Sequence, residues 1–193
     1  MDNWKWAAEM SRPKLCQASP WSEELADLLG NVSIRGRVGF CAASTIRLLP
    51  FCDPLATSTK LTECALTICE HFSLAEPVAV DEARGMIRQL RPLLCRGDPD
   101  LGDWAVIAAH HGLASVFDLL TAKVECDDMA VGDSAYSGDY AVGRKDEMEW
   151  QRRFIARLTA LTPAEKYPNL GHAVNVRELL KEVPFDAVLT GGR

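Results

Sequence analysis

The stretch "WAVIAAHHGLASVFDLL", residues 104–120, decides the fold of this 193-residue chain. Its apolar residues lie nearly all round a helical turn instead of forming one stripe. A helix of this kind is buried by several neighbours, and Asp103 precedes it as a candidate N-cap. We therefore predict a central apolar helix over residues 103–122, against which the other elements pack.

The segments on either side carry single apolar stripes at the i, i+4, i+7 spacing of amphipathic helices. Ser22 and Asn175 are well-placed N-caps, and Pro92 and Pro184 are expected to end or kink the helices that precede them. No segment alternates in the manner of a strand. The predicted flanking helices cover residues 22–30, 37–49, 59–72, 81–94, 146–161 and 175–183.

The whole chain is expected to fold as one unit. The helical patterns predict an all-α fold, a single-domain bundle of about six to seven helices that spans residues 1–193. A chain of this length buries about 70% of its unfolded surface, so it needs no disulfide or metal to fold. An alternative assigns residues 163–193 to a more loosely packed C-terminal extension.

The composition indicates a cytoplasmic protein. No run of about 18 apolar residues predicts a membrane span, and the start, "MDNWKWAAEM", lacks the basic and apolar regions of a secretory signal. The seven cysteines include no CxxC pair. Cys41, Cys64 and Cys69 fall within apolar helical patterns, where a free cysteine behaves as a small hydrophobe. We expect reduced cysteines, a cytoplasmic location and no membrane partner.

The net charge of −6 is concentrated in one stretch. Residues 125–149, which we term the acidic segment, hold eight acids against Arg144 and Lys145, whereas the rest of the chain holds 19 acids and 19 bases. A field of this sign disfavours nucleic acid as a partner and favours a basic protein. The acids are Glu125, Asp127, Asp128, Asp133, Asp139, Asp146, Glu147 and Glu149.

Residues 124–143, "VECDDMAVGDSAYSGDYAVG", are predicted to form a long loop, because they contain glycines but no helical stripe. Long loops in compact domains are usually functional or disordered. Tyrosines among acids and small residues are typical of a binding loop; the alternative is a solvated loop that only keeps the protein soluble. The predicted partner-contacting residues are Glu125, Asp127, Asp128, Asp133, Tyr136, Asp139, Tyr140, Asp146 and Glu149.

The stretch "DEMEWQRRFIARLTAL", residues 146–161, is interpreted as an amphipathic helix without a catalytic role. Its three acids lie at the positive end of the helix dipole, where they are favoured. The arginines at 152, 153 and 157 are expected to face solvent or to reach neighbouring carboxylates. The stripe predicted to enter the core consists of Trp150, Phe154, Ile155, Leu158 and Leu161.

His110 and His111 are the most enzyme-like residues. Helical neighbours point about 100° apart, so these two cannot ligate one metal as an i, i+4 pair does. The preferred interpretation is structural, with one ring buried and hydrogen-bonded and the other at the helix edge. The alternative is a metal-dependent hydrolase that uses both histidines with loop carboxylates. We predict no catalytic residue, no metal site and no cofactor.

Two blocks carry a family resemblance. "RVGFCAASTIRLLPFCD" (37–53) runs from an alanine-rich helix into Leu-Pro and an acidic residue, and "EMEWQRRFIARL" (147–158) contains Glu-x-x-Trp-Gln. Both resemble blocks in the immunity proteins of bacterial polymorphic toxin systems. The resemblance implies a non-enzymatic all-α protein that binds a co-encoded toxin and occludes it. It implies no binding residues, since Trp150 and Gln151 match its pattern but are expected to be structural.

The charge pattern and the resemblance lead to the same expected function, neutralisation of a basic, co-encoded toxin or effector by a helical immunity protein. Toxins that attack nucleic acid are basic, and an acidic inhibitor mimics their substrate and is steered toward them. The remaining alternative is a helical scaffold or homodimer that has no toxin partner.

Overall fold

The computed structural model describes residues 20–94, 101–120, 144–164 and 170–184. Within these ranges the chain is helical, and its only extended pairing is an isolated bridge between Val32 and Pro163. Short 3₁₀ turns follow the second and fourth helices. The prediction of an all-α bundle is confirmed. The helices are α1 (Pro20–Gly30), α2 (Ile34–Leu48), α3 (Thr57–Ser73), α4 (Val80–Leu90), α5 (Leu101–Leu120), α6 (Arg144–Leu161) and α7 (Val176–Glu182).

Side-chain caps and prolines set several helix ends. Asn175 caps α7 by accepting a hydrogen bond from the Glu178 amide at 3.2 Å, as predicted. Ser33 caps α2 in the same way, so this helix begins at Ile34 and not at residue 37 as predicted. Pro92 ends α4 at Leu90, and the chain continues as a 3₁₀ turn.

The centre of the bundle is shared by α5 and α2. Helix α5 packs on α2, α3 and α4, and its described side chains are all buried or half-buried, which confirms the predicted central helix. It spans Leu101–Leu120, so Asp103 lies in the first turn and is not the N-cap, and the last two residues of the predicted range 103–122 lie outside the described residues. Ten of the fifteen residues of α2 are also buried, because α2 lies between α5 and the later helices α6 and α7.

Small residues let the central helices approach closely. A Cβ at Gly112 of α5 would lie 2.9 Å from Cys69 Sγ on α3 and 3.1 Å from Cys41 Cβ on α2. Both thiols are buried, and burial raises the pKa of Cys69 well above its ordinary value. They therefore behave as small hydrophobes, as predicted. The same expectation is wrong for Cys64, which is exposed on the outer face of α3.

Residues late in the chain close the turn between α1 and α2. The Ala164 amide donates to the Asn31 carbonyl at 2.9 Å, and the Ser33 amide donates to the Thr162 carbonyl at 3.0 Å. The hydroxyls of Ser33 and Thr162 lie 2.5 Å apart. Gly171 fits against them with φ +79°, where a Cβ would collide with both hydroxyls. Residues from opposite ends of the chain thus form one joint.

Candidate functional site

Most of the predicted partner-contacting residues cannot be placed. The loop at 124–143 lies outside the described residues, together with Glu125, Asp127, Asp128, Asp133, Tyr136, Asp139 and Tyr140. The structure does place the last part of the acidic segment, in the first two turns of α6. Asp146 and Glu149 are exposed there, as a partner-contacting role requires.

Glu147, the acid between them, points into the protein. Its side chain is 1% exposed and takes both bonds of a bidentate ion pair with Arg47 of α2, at 2.7 and 2.5 Å. Arg47 itself is 11% exposed. A fork-to-fork pair of this kind satisfies both carboxylate oxygens. Glu147 is therefore neutralised internally and offers no charge to a partner.

Trp150 and Gln151 complete what we term the Arg47 cluster, which consists of Arg47, Glu147, Trp150 and Gln151. The guanidinium carbon of Arg47 lies 3.8 Å from the Trp150 ring centroid, and Gln151 Nε2 donates to Glu147 Oε1 at 2.9 Å. A desolvated stack of arginine on tryptophan contributes about 2 kcal/mol. The arrangement is one of buried groups that bond one another, although Arg47 Nε has no hydrogen-bond partner in the described structure, and it has the character of a structural connection.

Beyond this cluster, the predicted core stripe of α6 is confirmed at four of its five positions. Trp150, Phe154, Ile155 and Leu158 are buried, whereas Leu161 at the end of the helix is 38% exposed. Trp150 stacks on Phe154 with ring centroids 5.0 Å apart. Leu161 is less buried than the others because it is the last residue of α6.

Arginines on the outer side of α6 reach neighbouring helices, as predicted. Arg152 forms a bidentate pair with Glu24 of α1, with both distances 2.8 Å, and this hydrogen bonding lowers the pKa of Glu24. Arg157 pairs with Glu182 of α7 at 2.9 Å. These pairs are about half exposed, so each contributes little to stability.

The two histidines of α5 occupy an apolar setting. Their rings meet edge to face with centroids 5.8 Å apart, and both ring nitrogens of His110 are buried without a hydrogen-bond partner in the described structure. The expectation that the buried ring is hydrogen-bonded is therefore wrong for His110.

This setting keeps both imidazoles neutral. Burial, with smaller contributions from His111 and Arg91, lowers the pKa of His110 to about 3. Burial lowers the pKa of His111 to about 4. Among the described residues, no three histidine, cysteine or acidic side chains are grouped so that they could hold a metal ion. The loop carboxylates that the hydrolase alternative needs lie outside those residues.

The sequence interpretation missed the Arg47 cluster. It explains Glu147 only by the helix dipole and gives it no partner, although Glu147 is three residues before Trp150 and four before Gln151. This spacing puts all three on one helix face. A helical projection would have placed the glutamate on the core side, and the need for a buried cation would have followed. Nothing in the sequence indicates that Arg47 is that cation.

Comparison of the chain with protein-family models, curated proteins and solved structures found no significant match. None of the helices among the described residues is long and apolar enough to cross a membrane.

Proposed function

We propose that this chain is a non-enzymatic immunity protein that neutralises a basic, co-encoded toxin by covering it. The contact is made by the acidic segment, residues 125–149. The partner is a protein whose own binding surface is rich in lysine and arginine, such as a toxin that acts on nucleic acid.

The observation that carries this proposal is the position of the charge. The whole net charge of −6 belongs to the acidic segment. At the described end of that segment, Asp146 and Glu149 are exposed. An acidic surface of this kind steers a basic partner and accelerates association by about tenfold to a thousandfold at low salt.

The state of the histidines supports a binding role over the hydrolase alternative. The hydrolase alternative uses the two rings as metal ligands, but adjacent helical residues point about 100° apart, so His110 and His111 cannot share one metal in the manner of an i, i+4 pair. The buried nitrogens of His110 are also closed to a substrate.

The decisive experiment uses the product of the neighbouring gene. We expect that product to stop growth when expressed alone, and co-expression of this chain to restore growth. Purified together, the two proteins should form a complex whose association rate falls steeply as salt rises.

A charge-reversed pair of variants then tests the acidic segment. The test variant carries Asp127→Lys, Asp128→Lys and Asp133→Lys. The matched control carries Asp27→Lys, Glu63→Lys and Glu82→Lys, which alters exposed acids of α1, α3 and α4 and changes the net charge equally. We expect the test variant alone to slow association, by about tenfold or more. If both variants slowed association equally, a contact localised to the acidic segment would be refuted. If light scattering showed only a self-dimer and no complex, the scaffold alternative would be favoured.

A further inference from the structure

The ion pair between Arg47 and Glu147 lies where the acidic segment enters α6. Glu147 is in the first turn of this helix, and the residues that precede α6 in the chain, 121–143, lie outside the described part. The pair joins that first turn to α2, 100 residues earlier in the sequence. This ion pair therefore holds the first turn of α6, where the acidic segment ends, against α2.

The direction of Glu147 also determines the direction of its neighbours. Successive residues of a helix turn by about 100°, so an inward Glu147 leaves Asp146 and Glu149 about 60° apart on the outward side. Both are indeed exposed. If α6 were rotated by one residue, Asp146 would face α2 in place of Glu147, and the acids offered to solvent would change.

We propose that Arg47 is a positioning residue for the acidic segment. Its two bonds to Glu147 and its stack on Trp150 hold α6 in the rotation that keeps Asp146 and Glu149 available to a basic partner. The binding consequence rests on the proposed function, whereas the orientation of α6 depends only on these contacts.

The geometry requires arginine at this position. A planar guanidinium can meet both carboxylate oxygens and also lie flat on an indole ring, and the compact ammonium group of lysine cannot do both. Gln151 holds the same carboxylate from its own helix, at 2.9 Å. The carboxylate is thus fixed from two sides, and among the described residues Arg47 is the one that connects it to another helix.

The test compares Arg47→Met and Arg47→Lys with a matched control, Arg177→Met. Arg177 of α7 forms a bidentate pair with Glu70 of α3 at 2.7 and 3.0 Å, is 62% exposed, and makes this pair with neither α6 nor the acidic segment. Backbone hydrogen exchange is measured along the chain, and binding is measured with the neighbouring gene's product. Glu147→Gln, which keeps shape and hydrogen bonding but removes the charge, serves if Arg47→Met does not fold.

Arg47→Met lowers the stability of the whole fold, so exchange should rise along the chain, and we expect the rise at amides 148–151 to exceed the rise in α3 and α5 by about tenfold. Affinity for the partner should fall by about tenfold, with Arg47→Lys intermediate and the control unchanged. A rise at amides 148–151 no larger than the rise in α3 and α5 would overturn the positioning role. So would a local rise without loss of affinity. Absence of any complex with the wild-type chain would instead refute the proposed function, and the exchange pattern would still decide the orientation of α6.

Discussion

The indole nitrogen of Trp150 donates a hydrogen bond to the backbone carbonyl of Val183 at 3.1 Å, which joins α6 to the end of α7. Trp150 is fully buried between this carbonyl, Phe154 and the guanidinium of Arg47. One side chain thus connects the packing of three helices.

Replacement of Trp150 should separate these contributions. Trp150→Ala is expected to lower the free energy of unfolding by about 3–5 kcal/mol, because it removes a large buried ring. Trp150→Phe keeps an aromatic ring but loses the hydrogen bond, and it should cost about 1–2 kcal/mol. Urea unfolding measures both. Equal costs for the two variants would mean that ring packing contributes little.

Removal of one partner from the buried ion pair should be much more harmful than removal of both. Arg47→Met or Glu147→Leu alone leaves an uncompensated buried charge and should cost about 3–5 kcal/mol. The double variant Arg47→Met/Glu147→Leu should recover most of that loss. Arg177→Met, which breaks a pair whose arginine is 62% exposed and whose Glu70 is 15% exposed, should cost less, about 1 kcal/mol. A double-mutant cycle by chemical denaturation checks this, and strict additivity would contradict it.

Acid should destabilise the protein through the histidines of α5. In the unfolded chain their pKa is near 6.5, whereas in the folded protein it is about 3 for His110 and about 4 for His111. Between these values the unfolded state binds more protons. The stability that the two neutral histidines contribute is therefore fully present above about pH 6.5, and it is lost as the pH falls toward 4.

At pH 5 each histidine should account for a loss of about 2 kcal/mol relative to neutral pH. Unfolding free energies of the wild type at several pH values measure the slope. His110→Leu should flatten it, because leucine binds no proton. An identical slope in the variant would show that other groups control acid stability.

Two glycine substitutions should have opposite effects. Gly112→Ala places a Cβ against Cys69 and Cys41 in the core, at 2.9 and 3.1 Å, and should cost about 1–3 kcal/mol. Gly85→Ala lies in α4 with nothing within 4 Å of the new Cβ, and it should stabilise by about 0.5–1 kcal/mol. Thermal unfolding distinguishes them. A neutral Gly112→Ala would mean that the helices can separate slightly at no cost.

The features that the sequence predicted well depend on local chemistry. The cap at Asn175, the end of α4 before Pro92 and the stripe from Trp150 to Leu158 all follow from neighbours within one or two turns. The burial of Glu147 also follows from its spacing to Trp150 and Gln151, but its partner does not, because Arg47 lies 100 residues away in the sequence. Only the fold brings that cation to the buried carboxylate.

The joint between Asn31 and Ala164, and between Ser33 and Thr162, bears on the order of synthesis. Thr162 is synthesised about 130 residues after Ser33. The turn between α1 and α2 therefore leaves the ribosome long before the residues that bond to it. Until then α2 lacks both this joint and the counter-ion of Arg47. We expect the nascent chain to hold these helices only loosely until α6 has left the exit tunnel.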